Sequence, residues 1–186
     1  MSQLKLILLD FDGTLADTRE ANAMGYISAL REVGIELSKE EYFAHYFGMR
    51  CMEFLRSVGV EGDEAIRAVR RRKIELYPRY FDSVTLNKSL WEWCQQMRRG
   101  GVKVWIVSTG HVDNITNVMR HLNIENEVDG IISGDDVSRP KPAPDCFLKA
   151  MANEGCSASE TIIFEDSDIG LAAAASSGAM YVRVEF

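Results

Sequence analysis

The sequence predicts an α/β fold on a mostly parallel sheet, with a helical block inserted after the first strand. Three observations carry this expectation. Five of the six residues at positions 4–9 are large and aliphatic, which fits a strand covered on both faces. Four later apolar runs alternate with helical patterns, as successive strand–helix units do. Residues 17–81, by contrast, contain no convincing strand and read as several helices. The expected organisation is a core of residues 1–16 and 82–186, with residues 17–81 inserted as a cap standing over the strand ends.

The first strand runs straight into Asp10-Phe11-Asp12-Gly13-Thr14, so a buried strand ends in two carboxylates and a glycine turn. In open parallel sheets, ligands sit just beyond the carboxyl ends of the strands. Asp12-Gly13 also fits an ordinary turn dipeptide. Inside the insertion, Ala21, Met24, Ile27, Leu30 and Val33 form one helical stripe that Gly34 closes. Ser38-Lys39-Glu40-Glu41 has capping-box spacing for a second helix. A third, over 52–58, stops at Gly59, and a fourth occupies 63–77 before Pro78.

Back in the core, a helix over 89–99 ends at Gly100-Gly101 and is followed by a strand over 102–107. Val112, Ile115, Val118, Met119 and Leu122 mark the next helix, and Ile131-Ile132 a short strand. Pro144 opens a helix over 145–154, since proline suits the first turn. A strand over 161–164, a helix over 169–176 ending before Gly178, and a strand over 180–184 complete the pattern.

Composition excludes several classes. With 186 residues, 46% of them hydrophobic, the chain can bury a substantial core in one domain carrying a modest insertion. A net charge of -7 argues against nucleic acid and against a membrane surface as partners. Cys51, Cys94, Cys146 and Cys156 show no C-x-x-C spacing and no accompanying His-x-x-x-His pair. That pattern points to reduced thiols and away from zinc. No stretch has the layout of a signal peptide or the length of a membrane span, so a soluble, cytoplasmic protein is expected.

Four polar sites fall at the ends of the expected strands. Asp10 and Asp12 end the first. Ser108-Thr109-Gly110 ends the second, where hydroxyls and backbone N–H groups at a helix start can bind an anion or merely cap the helix. Three of the four prolines flank Lys141 in Arg139-Pro140-Lys141-Pro142-Ala143-Pro144 and restrict the loop that carries it. Glu165 and Asp166 follow the strand over 161–164. Adjacent carboxylates raise each other's pKa unless a cation joins them, and magnesium takes a few carboxylates with water and phosphate oxygens. Acids at a helix N-terminus are also favourable without any metal.

Asp10-Phe11-Asp12-Gly13-Thr14-Leu15, Ser108-Thr109, Lys141-Pro142-Ala143-Pro144-Asp145 with Phe147, and Phe164-Glu165-Asp166-Ser167 with Gly170 resemble the four signature motifs of the haloacid dehalogenase-like hydrolase superfamily. The resemblance spans nearly the whole chain. The helical insertion is similar to the small α-helical cap of the subgroup containing β-phosphoglucomutase and phosphoglycolate phosphatase. The resemblance implies a Rossmann-like core, Asp10 as nucleophile and Asp12 as general acid and base. It further implies Mg2+ held by Asp10, the Asp12 carbonyl and Asp166, with Glu165 as a direct ligand or supporting neighbour. Ser108, Thr109 and Lys141 would hold the phosphoryl oxygens of a small phosphorylated metabolite.

Within that superfamily Asp12 disfavours dehalogenation, which needs neither this second acid nor a metal, and phosphonatases, which carry a small residue there. A phosphatase is expected, and a phosphomutase of the β-phosphoglucomutase type is the alternative. The mutase pattern has a His five residues beyond the cap-linker Asp; counted from Asp17, this chain has Asn22. A receiver-type signalling domain has the reverse order of acid pair and phosphoacceptor, and a non-catalytic phosphosugar binder would not need every catalytic position filled. Arg50 and Lys73 are the candidate substrate contacts of the cap. On a helix, Arg67, Arg70 and Arg71 share a face from which Lys73 points away, and a solvated basic face also explains this run. His111, close behind Ser108-Thr109-Gly110, is expected at the rim of the site. Nothing in the sequence gives the oligomeric state or the particular ester.

Overall fold

The computed structural model describes residues 3–186. In chain order its main elements are β1 (Leu6–Leu9), β2 (Ala16–Asp17), α1 (Arg19–Arg31), α2 (Lys39–Glu41), α3 (Cys51–Ser57), α4 (Asp63–Leu76), β3 (Thr85–Leu86) and α5 (Lys88–Arg99). β4 (Lys103–Val107), α6 (Val112–His121), β5 (Gly130–Ile132), α7 (Asp145–Glu154), β6 (Thr161–Glu165), α8 (Asp168–Ser177) and β7 (Met180–Arg183) follow. Two compact units emerge: one takes in the chain up to Asp17 and again from Thr85 to Phe186, and the other is Thr18–Val84.

The first unit is a five-stranded parallel sheet in the order β5-β4-β1-β6-β7. β1 lies at its centre because all four of its residues are apolar and none is exposed, so it must be covered on both faces. Leu6, Leu8, Val107, Ile132, Phe147, Met151, Ile163, Ala173 and Ala174 belong to one buried cluster. The small residues of α8 allow that helix to approach the sheet closely. Leu9 lies level with Ile106 on one side and Phe164 on the other. Register therefore brings Asp10, Val107, Ser108 and Glu165 to one edge of the sheet, the carboxyl edge.

The sequence pattern missed the antiparallel pair β2–β3, in which Ala16 faces Leu86 and Asp17 faces Thr85. Two-residue strands have no periodicity to read. The pair ties together the points where the chain leaves and re-enters the sheet unit, and Asn87 N–H reinforces it by donating to Leu15 O at 2.8 Å.

In the helical unit, α1 is buried on several faces through Ala21, Ala23, Gly25, Ile27, Ala29 and Leu30. Val33 was expected in its stripe but lies beyond the helix and is 54% exposed. The second helix also departs from expectation. Ser38 Oγ accepts from Glu41 N–H at 3.1 Å, yet α2 lasts three residues before widening into a π turn over Tyr42–Tyr46. The wider turn leaves Tyr42 and Tyr46 both 5.4 Å from the Phe54 ring centroid, with Tyr26 at 5.2 Å completing the cluster. Aromatic packing of this kind, edge-on for Tyr26 and Tyr42 and tilted for Tyr46, rewards the local change of pitch.

Ile66, Val69, Lys73 and Leu76 form the buried stripe of α4. Lys73 therefore occupies a core position, while Arg67, Arg70 and Arg71 are exposed. Its ammonium donates to Asn22 Oδ1 at 2.7 Å and lies 3.7 Å from the Tyr77 ring centroid. Gly25 makes room for the lysine stem, since a Cβ there would stand 3.4 Å from Lys73 Cγ and Cε. The solvated reading of the basic run holds for the three arginines and fails for Lys73.

Leu8→Ala removes a fully buried side chain from the middle of the sheet. It should cost about 2–5 kcal/mol, read as a lower urea midpoint.

Candidate active site

The sheet still holds Asp10 as the chain leaves β1, through its N–H donating to Phe164 O at 2.9 Å. A tight turn follows. Leu15 and Ala16 N–H groups both donate to Phe11 O, at 3.1 and 2.9 Å, and Gly13 N–H donates to Ala16 O at 2.8 Å. Gly13 has φ +93°, and a Cβ on it would stand 2.3 Å from Asp166 Oδ2. Glycine is required here both by the backbone and by the carboxylate packed against it. Thr14 Oγ1 donates to Asp166 Oδ1 at 3.1 Å, a role the sequence did not reveal.

Lys141 reaches this edge from the loop before α7 and is 3% exposed. Its ammonium donates to Asp10 Oδ1 at 2.7 Å, Glu165 Oε2 at 2.6 Å and Val107 O at 3.1 Å. All three donors of a lysine are thereby engaged. Burial works against the charged ammonium, but Asp10 and Glu165 outweigh it and raise the pKa above its ordinary value.

Glu165 is held from both oxygens: Oε2 by Lys141, Oε1 by Ser167 N–H at 3.2 Å and Ser167 Oγ at 2.7 Å. Gly170 supplies the space, because a Cβ there would fall 2.0 Å from Glu165 Cδ. Ser167 in turn caps α8 by accepting from Gly170 N–H at 3.1 Å. A helix cap and a carboxylate support are thus one residue, and only the first role has a sequence signal.

Ser108 is buried and its N–H donates to Ile132 O at 2.9 Å. Its Oγ accepts from Gly110 N–H at 3.0 Å. A Cβ on Gly110 would lie 3.2 Å from Ser108 Oγ and 3.5 Å from Asp12 Oδ2, so the Asp12 carboxylate and the Ser108 loop share one neighbourhood. Thr109 is exposed, with its carbonyl packed against Gly134, where a Cβ would stand 2.3 Å away. Gly134 N–H donates to Gly110 O at 2.9 Å and clamps the loop. Nothing in the sequence pattern marked Gly134. His111 Nδ1 accepts from Asp113 N–H at 3.3 Å, and Nε2 lies 3.5 Å from Asp135 Oδ2.

Asp10, Glu165 and Asp166 each present an oxygen within 4.8 Å of the others. Burial, with the charges of Glu165 and Asp166, pushes Asp10 up to about 8 despite Lys141. Burial and the Glu165 charge likewise raise Asp166. Three carboxylates around one ammonium leave an excess of negative charge in a poorly solvated place. That donor set fits a hard divalent cation. Asp10 and Asp166 are the ligands it would use, since Lys141 and Ser167 already occupy the Glu165 oxygens.

Arg50 and Lys73 belong to the helical unit: Arg50 is exposed at the head of α3, and Lys73 is buried as described.

Comparison with known proteins agrees with this geometry. The family model of haloacid dehalogenase-like hydrolases matches residues 7–184. The chain belongs to that family. This hydrolase is 28% identical over 162 residues to a pyrophosphatase, PpaX, of Bacillus velezensis, covering 87% of the present chain and 74% of the relative. It is 25% identical over 185 residues to the fructose-1-phosphate phosphatase YqaB of Escherichia coli, covering 92% of each. Its fold matches CbbY from Rhodobacter sphaeroides, solved in complex with phosphate, with a TM-score of 0.87 at 22% identity over 99% of this chain and 87% of that one. With such relatives, it is a phosphatase of the family.

In chelator, the raised Asp10 pKa means that the folded protein keeps a proton which the unfolded chain releases above about 3.8. That contribution to stability is complete below 3.8 and is lost as pH climbs towards about 8. Asp10→Asn should flatten the fall in Tm between pH 5 and 8; an unchanged slope in the variant would contradict the charge crowding.

Proposed function

We propose that this phosphatase uses Mg2+ to hydrolyse a small phosphate monoester, of the sugar phosphate or phosphoglycolate kind, through an aspartyl phosphate on Asp10. One observation carries the reading: a fully engaged, buried ammonium fixes Asp10 beside two further carboxylates at the carboxyl edge of a parallel sheet. When bound, the magnesium ion would offset the negative charge that otherwise keeps an anionic ester away from an anionic carboxylate. The free cysteines accord with a cytoplasmic setting.

In the first step an Asp10 oxygen forms a bond to phosphorus as the ester O–P bond breaks, and Asp12 gives its proton to the leaving oxygen. In the second, Asp12 takes a proton from water as the water oxygen bonds to phosphorus and the Asp10 O–P bond breaks, which releases inorganic phosphate and restores the Asp10 carboxylate. Lys141 holds Asp10 in line and lends its positive charge to the phosphoryl group, whose equatorial oxygens Ser108 and Thr109 meet. Glu165 orients Lys141, and Thr14 orients Asp166.

Asn22 favours hydrolysis over phosphoryl transfer to a second sugar hydroxyl. Its Nδ2 donates to Thr18 Oγ1 at 3.0 Å and its Oδ1 accepts from Lys73. An amide held at both ends, with no proton to exchange near neutral pH, does not serve as the acid–base group of a mutase. Arg50 and Lys73 are the proposed selectors among esters.

The test is a panel of phosphate monoesters assayed with Mg2+ and with chelator. Magnesium-dependent release of inorganic phosphate is expected, with Asp12→Asn lowering kcat by roughly 10²–10⁴-fold. Isomerised ester without phosphate release would identify a mutase instead. On the best substrate, Arg50→Ala or Lys73→Met should lower kcat/KM roughly tenfold or more; no effect from either would remove both from substrate selection.

A further inference from the structure

Arg183 ends β7 and is level with Glu165 in the β6–β7 ladder. Val184 N–H donates to Glu165 O at 2.9 Å, so the ladder holds the peptide that leads into Asp166. The Arg183 side chain continues over the next peptide. Its Nη1 donates to Asp166 O at 2.9 Å, and its Nη2 pairs with Asp168, the first residue of α8.

The peptide joining Asp166 to Ser167 is thereby gripped from both sides. A trans peptide points its C=O and N–H in opposite directions. Here Arg183 takes the C=O, while the Ser167 N–H donates to Glu165 Oε1 at 3.2 Å. Turning that plane would break the Arg183 bond and disturb Glu165, whose other oxygen holds Lys141. It would also swing the Asp166 carboxylate away from Thr14 Oγ1, which meets it at 3.1 Å. A planar guanidinium reaches two acceptors through separate nitrogens, which the single nitrogen of a lysine does not reproduce.

Resting on the reading of Asp10 and Asp166 as ligands of the divalent cation, we propose that Arg183 is a positioning residue for that ion. By fixing the Asp166–Ser167 peptide it holds the Asp166 carboxylate in the orientation that binds. Charge and positioning predict opposite signs here. Arg183→Met removes a positive charge and leaves Asp168 unpaired, and Coulomb attraction alone would then tighten cation binding. Asp168 is 91% exposed, and solvent and salt screen such a change to about twofold. Losing a neighbour that orients a ligand weakens metal binding by about 10–100-fold. The larger effect sets the sign, so the variant binds the ion more weakly.

Mn2+ titration of the chelator-treated full chain, followed through the electron paramagnetic resonance of the free ion, reads the site without turnover. Asp166→Asn serves as the reference for loss of a ligand, and each variant is titrated where circular dichroism shows it folded. Arg183→Met should raise the Mn2+ dissociation constant about tenfold or more. Arg183→Lys keeps the charge but loses the two-pronged contact, and should weaken binding nearly as much. Asp168→Asn leaves the bond to the Asp166 carbonyl in place and should change the constant less than about threefold. Unchanged or tighter binding by Arg183→Met overturns the proposal, as does full retention of affinity by Arg183→Lys, which decides alone where the methionine variant does not fold. A wild type that binds no Mn2+ removes the metal reading and this proposal with it. Binding that depends on Asp166 but not on Arg183 removes the proposal alone.

Discussion

The ammonium of Lys141, shared between Asp10 at the end of β1 and Glu165 at the end of β6, is the interaction on which the site depends. Burying an isolated cation is unfavourable, and burying two carboxylates is equally so. Together they are tolerable only with short, well-aligned contacts, and Lys141 has three at 2.6–3.1 Å. Removing one partner of such a group leaves uncompensated buried charge at a cost of about 3–5 kcal/mol. The arrangement is therefore better understood as a device that fixes geometry than as a source of stability. It locks the nucleophile between two strands whose register is already set by apolar packing.

Much of the remaining site consists of small residues making space for this charge. Gly13 leaves room for the Asp166 carboxylate, Gly170 for Glu165, and Gly134 for the Thr109 carbonyl. Each would bring a Cβ within 2.3 Å or less of its neighbour. Sheet, turn and helix start are thus drawn so close that the carboxylates cannot retreat into water. The raised affinity of Asp10 and Asp166 for protons follows from the same closeness, as does the capacity to take a divalent cation in place of those protons.

The sequence was most legible where one physical demand dominated. Leu6 to Leu9 had to be a central strand because no solvated face could accept them, and the ends of β1, β4 and β6 then located Asp10, Ser108, Glu165 and Asp166. Lys141 was visible because prolines bracket it. Less visible were features set by contacts between distant segments. Thr14 binds Asp166, 152 residues away, and no local pattern marks that bond. Lys73 looked like part of a basic run because charge is read locally, whereas its burial depends on Gly25 and Tyr77 from other turns. The π turn over Tyr42–Tyr46 answers to Phe54, which lies on α3.

Central to this account is that Asp10, pinned by Lys141, carries the phosphoryl group during turnover. The most direct measurement is peptide mass spectrometry of enzyme quenched in acid during turnover of its best ester with magnesium. The account predicts an acid-stable, hydroxylamine-labile phosphate on the peptide containing Asp10. Quenched enzyme that is turning over ester but carries no acyl phosphate at that residue would contradict it.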